Sequence, residues 1–200
     1  IGATYYLRMV PGVYSPERAR EIAALGHEVG YHYEVLAKAR GHMDAALARF
    51  AEELAELRRH VPVVTATAHG SPLSPWDSLA IWEHARPEDF DLAGEPYLAP
   101  ALSHLAYYTD TGRSWQADKT NLRDRPGGGG GTMPMVPDTA RMEALLRAGE
   151  LPGICLQTHP ERWHDPGLGR LRSQFLDLAA NTVKRILALS GRARYRTEGT

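Results

Sequence analysis

Histidine and aspartate side chains stand at the ends of four β-prone segments, where they could bind a metal ion or transfer protons. His32, His69 and His159 each stand at the end of a predicted strand, and Asp110 stands at the end of a fourth one. A neutral imidazole binds divalent cations and exchanges protons near neutral pH. One histidine alone is more often structural, but three at the exits of predicted strands favour a shared site. We therefore expect these side chains to meet.

The alternation of side chains along a strand adds a fourth candidate. Successive residues of a strand point to opposite faces, so in the predicted strand 27–33 His32 shares one face with Glu34, while Tyr31 and Tyr33 take the other. His32 and Glu34 could therefore both face a crevice. Glu34 could equally be a loop residue that faces solvent, and the pattern leaves both possibilities open.

Segments with strand and helix patterns alternate along the chain, which favours parallel βαβ units. Ser15 is a predicted N-cap, Pro16 suits a first helical turn, and Gly26 suits a helix end. The run 61–68 is apolar and β-branched, which is typical of a strand buried on both faces. Predicted strands cover 2–8, 27–33, 61–68, 105–109 and 153–158, and predicted helices cover 16–25, 42–59, 138–148 and 170–189, with a short helix after 74 and a short strand near 91–93.

This alternation predicts one α/β domain over residues 1–200. We expect a parallel (β/α) barrel of about seven strands, incomplete or distorted, or a partly closed sheet. Ligands of such folds bind beyond the carboxyl ends of the strands, because the loops converge there. The glycine-rich loop 125–133 is predicted to be flexible, either as a mobile lid or as a disordered insertion.

Composition excludes several functional classes. The chain has 23 basic and 24 acidic residues, so no overall positive field favours a nucleic acid or an anionic membrane. No apolar run approaches the ~18 residues of a membrane span, and with no signal peptide visible we expect a cytoplasmic protein. Cys155 is the only cysteine, which excludes an internal disulfide and a cysteine-based zinc site. Because the chain opens directly on a β-rich segment, we expect the natural protein to extend upstream.

Several of these segments resemble the polysaccharide deacetylase superfamily, the zinc-dependent carbohydrate esterases that remove N-acetyl groups from sugars. The resemblance covers residues 1 to about 164. The most specific part is Ile22-Ala-Ala-Leu-Gly-His-Glu-Val-Gly-Tyr-His32, which is similar to the family's metal-histidine motif. The variants Gly-Tyr-His-Tyr-Glu and His-Pro-Glu-Arg-Trp look closest to proteins of bacterial surface-polysaccharide clusters. The other matching segments are 1–6, 68–72, 110–115 and 154–159.

The resemblance implies that His32 binds zinc or another divalent cation, and His69 and Glu34 are the further candidates for this metal site. A bound zinc ion polarises an acetyl carbonyl and lowers the pKa of its water. The family takes two further aspartates from a strand that would precede Ile1. The family's second metal histidine corresponds to Leu36 here, which cannot bind a metal. His69 and Glu34 are the two candidates to replace it.

The resemblance also implies roles for residues near the later strands. His159 would donate a proton to the departing amine, with Asp110 holding it and Arg113 orienting Asp110. Sugar rings stack on flat aromatic faces, so Trp115 and Trp163 could bind the carbohydrate substrate, although loop packing is an equal alternative. Arg162 suits a phosphate or carboxylate of the substrate, or is a surface residue.

Two other functions stay open at this stage. A similar metal site could hydrolyse another ester, amide or phosphoester, since a fold does not fix a reaction. The chain could also be a degenerate deacetylase-like protein that binds a glycan without cleaving it, and Leu36 favours this alternative. Acetate release, phosphate release and zinc-independent glycan binding distinguish the three.

Overall fold

The computed structural model of the chain describes residues 1–70, 74–99, 105–110, 115, 136–151 and 153–160. These residues belong to two compact units that meet in sequence after residue 99. Every strand pair in the two sheets is parallel, so the expected α/β class with parallel strands is confirmed. The predicted loop 125–133 and the predicted helix 170–189 lie outside the described residues. The prediction of a single domain stays a prediction.

The first unit contains a parallel three-stranded sheet in the order β1-β2-β3. Leu7 pairs with Tyr31 near the end of β1, and Tyr33 pairs with Ala68 at the end of β2. The three carboxyl ends therefore lie side by side at one edge. The elements are β1 (Thr4–Leu7), α1 (Pro16–Ala24), β2 (Glu28–Tyr33), α2 (Val35–Lys38), α3 (Met43–Arg58), β3 (Ala66–Ala68) and two 3₁₀ turns (Ser78–Glu83 and Pro87–Phe90).

Local sequence signals fix the helix that joins β1 to β2. The Ser15 side chain accepts a hydrogen bond from the backbone N–H of Arg18, and Pro16 occupies the first turn. After the helix, Gly26 adopts φ +83°, a conformation that costs other residues free energy. These features confirm the predicted start and end of α1.

The core of the first unit forms between β2 and α3. Tyr31 and Tyr33 are fully buried, and both contact Phe50 of α3, with ring centroids 5.1 and 5.2 Å apart. Trp82 from the first 3₁₀ turn packs on Phe50 and donates its indole N–H to the Tyr33 hydroxyl at 2.7 Å. Since Tyr31 and Tyr33 fill this face of β2, Glu28, Gly30 and His32 lie on the opposite face, as the alternation predicts.

The third strand differs from its prediction over 61–68. Only Ala66–Ala68 forms a strand, and the preceding residues alternate between buried Val63 and exposed Val64. Pro62 cannot donate a ladder hydrogen bond. The next chain segment pairs here instead, because the N–H of Ala93 donates to the carbonyl of Val64 at 2.7 Å. The prediction of a long strand buried on both faces was therefore wrong for its first half.

The second unit contains the parallel pair β4 (Ala106–Thr109) and β5 (Ile154–Gln157), with α4 (Thr139–Ala148) between them in sequence. Asp138 caps α4 by accepting from the N–H of Arg141, and Gly149 ends it with φ +68°. Both ends match the prediction. The buried residues of its core are Tyr108, Val136, Met142 and Leu145. Within the described ranges, no helix is both long and apolar enough to cross a bilayer.

Candidate functional site

Each strand of the first sheet is followed directly by a side chain that can carry charge. Arg8 follows β1, Glu34 follows β2 and His69 follows β3. The backbone N–H of His69 donates to the Tyr33 carbonyl at 2.7 Å, which extends the pairing of β3 with β2 by one residue. Because the strands are parallel and in register, the three side chains meet at the carboxyl edge of the sheet.

Glu34 is the centre of this group. Nη2 of Arg8 donates to both carboxylate oxygens, at 3.0 and 2.8 Å. Nδ1 of His69 lies 3.3 Å from Oε2, next to the carboxylate but not aligned for a full hydrogen bond. His69 lowers the pKa of Glu34 most and Arg8 lowers it further, and together they outweigh burial and bring it to about 2. Glu34 is therefore an anion at neutral pH, with a 13% exposed side chain.

The ring of His32 is oriented by the backbone of the neighbouring strand. Its Nδ1 lies 3.1 Å from the carbonyl oxygen of Thr67. A carbonyl only accepts hydrogen bonds, so Nδ1 carries the proton and the Nε2 lone pair of the neutral ring can act as a ligand. Metal-binding histidines usually donate their other N–H to a carbonyl or a carboxylate in this way.

The spacing of His32 and His69 fits two ligands of one ion. Their ring centroids are 5.0 Å apart, at an interplanar angle of 80°. Two imidazoles on one tetrahedral zinc ion, each with a Zn–N bond of ~2.0–2.1 Å, would place their centroids about 5 Å apart. The distance and the Nδ1 contacts of both rings therefore agree with ligation through Nε2.

A complete ligand set needs more than this pair. Among the side chains that the structure describes, no group of three or more His, Cys, Asp or Glu residues has metal-site geometry. Leu36, at the position of the family's second metal histidine, lies in α2 with 0% exposure. It is a core residue and contributes nothing to such a site.

Two residues at this edge were not among the candidates from the sequence. Arg8 could have been found by the rule that found the others, since it is the last residue of the predicted strand 2–8. Glu95 had no local signal. Its buried carboxylate accepts hydrogen bonds from the Thr67 hydroxyl at 3.1 Å and the Ala68 N–H at 3.0 Å, and so holds the end of β3 just before His69.

The second unit brings Asp110 and His159 together, as expected. Asp110 directly follows β4, and its Oδ2 accepts the backbone N–H of His159 at 2.9 Å. Its Oδ1 lies 2.5 Å from Nδ1 of the same residue. Since a carboxylate accepts from Nδ1–H, Nε2 of His159 is the ring atom that can exchange a proton with a substrate. The two contacts to one residue fix the position of its backbone and the direction of its ring.

Trp115 makes packing contacts in this unit. It lies against the core of the second unit, and its indole N–H donates to the Thr139 hydroxyl at 3.1 Å. These contacts are those of the loop-packing alternative. The thiol of Cys155 is half-buried and burial raises its pKa, which is consistent with an unreactive cysteine. Arg113, predicted to orient Asp110, and the predicted substrate residues Arg162 and Trp163 lie outside the described residues.

With this geometry established, the chain was compared with known proteins. No family model, no curated protein and no solved structure matches it.

Proposed function

We propose that this protein is a metal-dependent hydrolase that removes an N-acetyl group from a sugar or a polysaccharide precursor. The observation that carries the proposal is the pair His32 and His69, at adjacent strand ends with ring centroids 5.0 Å apart. The Nδ1 atom of each ring lies near an oxygen atom, 3.1 Å from Thr67 O and 3.3 Å from Glu34 Oε2. A proton on Nδ1 would place the lone pair of each ring on Nε2, the atom that would bind zinc or another divalent cation.

The metal, when bound, would polarise the amide carbonyl and acidify a water molecule. His32 and His69 would hold it, and Glu34 is the third candidate from the sequence. The remaining ligands, and the base that takes the proton of the water, would come from outside the described residues. The first unit thus accounts for part of the ligand set.

His159 would supply the proton that the departing amine requires. An amine is a poor leaving group until it is protonated, so amide hydrolysis needs an acid at this step. Asp110 would keep the proton of His159 on Nδ1 in the resting state and stabilise the charged ring. This dyad could serve another ester or amide equally well, so the sugar comes from the family resemblance and not from the dyad.

The resemblance extends to the fold and the setting. We propose that the parallel strands belong to an incomplete (β/α) barrel, supported by parallel pairing in both sheets and by α-helices between β1 and β2, between β2 and β3, and between β4 and β5. We also propose a cytoplasmic role in surface-polysaccharide synthesis, with a carbohydrate as the substrate.

The second candidate is a degenerate deacetylase-like protein that binds a glycan. It is favoured by Leu36, whose complete burial makes it part of the core. Such a protein would bind N-acetylated oligosaccharides with equal affinity in the presence and absence of a chelator. Zinc-dependent acetate release would contradict it.

The test of the hydrolase is a comparison of full-length wild type with His32→Ala. We expect about one zinc ion per wild-type chain by elemental analysis, acetate release from an N-acetylglucosamine oligosaccharide, and loss of both in the variant. His42→Ala is the matched control, because this exposed histidine makes no side-chain capping bond. Unchanged zinc content and rate in His32→Ala would remove His32 from the site. Release of phosphate from a sugar phosphate, without acetate release, would change the reaction class.

A further inference from the structure

We propose that Glu34 is a positioning residue that holds His69 in its metal-binding tautomer, is itself held by Arg8, and is not a metal ligand. This inference rests on the proposed function, because it assigns a role at the same metal site. It rests on the contacts that join the ends of three strands: Arg8 after β1, Glu34 after β2 and His69 after β3.

The cations around Glu34 argue against direct ligation. One nitrogen of Arg8 bonds to both of its oxygens, and Nζ of Lys38 lies 4.0 Å from Oε1. A zinc ligand oxygen must approach the metal to ~2.0–2.2 Å. Such a position would bring the metal close to the guanidinium of Arg8, and the repulsion of two cations in a half-buried site is costly.

The same contacts suit a role through His69. A carboxylate beside Nδ1 favours the tautomer that carries its proton there, which leaves the lone pair on Nε2. Arg8 fixes the direction of the carboxylate, so the ring of His69 is oriented from two strands away. His32 receives the equivalent orientation from the carbonyl of Thr67. The Thr67 carbonyl would thus orient the ring of His32, and the Glu34 carboxylate would orient the ring of His69, toward one metal ion.

Glu34→Gln tests whether the Glu34 carboxylate sets the tautomer of His69. The amide has one acceptor oxygen, which Arg8 would claim, so the NH₂ group would face Nδ1 of His69. Nδ1 would then have to accept, and the ring proton would move to Nε2. We expect long-range ¹H–¹⁵N spectra of the metal-free protein to show the Nδ1–H form of His69 in the wild type and the Nε2–H form in the variant. His69→Ala identifies the signal.

Zinc affinity provides the second measurement. Loss of a group that orients a ligand weakens metal binding by roughly 10–100-fold, and we expect this for Glu34→Gln by competition with a chelating dye. Glu53→Gln is the matched control: Glu53 is also held by Lys38 and by the Tyr31 hydroxyl, and we expect no change in tautomer or affinity. Arg8→Met leaves the Glu34 carboxylate in place. In this variant His69 should therefore stay in its Nδ1–H form, and zinc affinity should fall less than in Glu34→Gln.

The outcomes are distinct. An unchanged His69 tautomer in Glu34→Gln, or an Nε2–H form in the wild type, overturns the inference. A larger loss of affinity in Arg8→Met than in Glu34→Gln also contradicts it. If the wild type binds no zinc, the proposed function fails, and the tautomer of the metal-free protein still decides the role of Glu34.

Discussion

The carboxyl edge of the first sheet and the Asp110–His159 pair of the second unit hold their histidines in different ways. In the first unit, the carboxylate that contacts His69 is itself held by Arg8, and Lys38 links it to Glu53. In the second unit, one carboxylate makes both contacts to His159. The first arrangement spreads the orientation of a ring over several strands, and the second concentrates it in one side chain.

This difference has an energetic consequence. The side chains of Lys38 and Glu53 are 19% and 15% exposed, and removal of one partner leaves the other charge half-buried and unpaired. Removal of a charge from the Arg8, Glu34, Lys38 and Glu53 network should therefore cost stability together with any loss of function. A change to Asp110 should act mainly through His159, the residue that both of its described hydrogen bonds reach.

The largest expected effect is that of Asp110→Asn. The asparagine side chain has one acceptor oxygen for two donors, the backbone N–H and Nδ1–H of His159, so one of them loses its partner or the ring changes tautomer. We expect the rate of acetate release to fall by roughly 10²–10⁴-fold. The free energy of unfolding should change little by comparison.

Asp138→Asn is the control for that variant. Asp138 is another carboxylate of the second unit that accepts a backbone N–H, from Arg141 at 2.8 Å, and asparagine caps a helix about as well as aspartate. Its rate should equal that of the wild type. Equal rates for Asp110→Asn and the wild type would show that the dyad has no part in the reaction.

Local signals in the sequence account for much of the fold. Ser15 and Gly26 bounded α1, Asp138 and Gly149 bounded α4, and the structure confirms both pairs of boundaries. These residues act on the backbone within a few positions of themselves, so their effect can be predicted without knowledge of the tertiary structure. The alternation along β2 was predictable for the same reason.

The features that were missed depend on contacts distant in sequence. Glu95 holds the end of β3 from 27 and 28 positions away, and its segment has no regular pattern. The helix α2 has four residues, which is too few for a helical period to be visible. The prediction of a strand over 61–68 was wrong for its first half, because residues 64–66 form their backbone contacts with the segment at 93–94.

The next largest effect is on stability, for Gly30→Ala in β2. A Cβ atom at Gly30 would lie 2.5 Å from Cδ1 of Tyr6, closer still to Cε1, and 3.1 Å from the Thr65 hydroxyl. The ring and the sheet must shift to admit it, and such overpacking costs about 1–3 kcal/mol. Urea denaturation measures the loss. Because Gly30 and His32 share a face of β2, zinc affinity should also fall.

Gly94→Ala is the matched control, because a Cβ there has nothing within 4 Å. Both variants restrict the unfolded chain equally, so the difference between them isolates the close approach of Tyr6. We expect Gly94→Ala to be as stable as the wild type or slightly more stable. Equal stability of the two variants would mean that Tyr6 moves aside freely and that this face of the sheet is loosely packed.

The smallest effect is a pH dependence carried by Glu95. Its carboxylate accepts four hydrogen bonds, from Thr67, Ala68, Tyr97 and Leu98, yet burial outweighs them and raises its pKa. Since ionisation costs more in the folded state than in the unfolded one, the stability that Glu95 contributes is fully present below its ordinary pKa. That contribution is lost as the pH rises through the raised value.

Glu95→Gln makes this dependence measurable. The glutamine does not titrate, so the wild type should have its largest stability advantage over the variant below the ordinary pKa of a glutamate, and this advantage should shrink as the pH rises through the raised pKa of Glu95. Denaturation curves of both proteins at several pH values measure it. A stability advantage that grows with pH would mean that the four hydrogen bonds outweigh burial and lower the pKa of Glu95. In that case the hydrogen bonds to the Glu95 anion would stabilise the end of β3 just before His69.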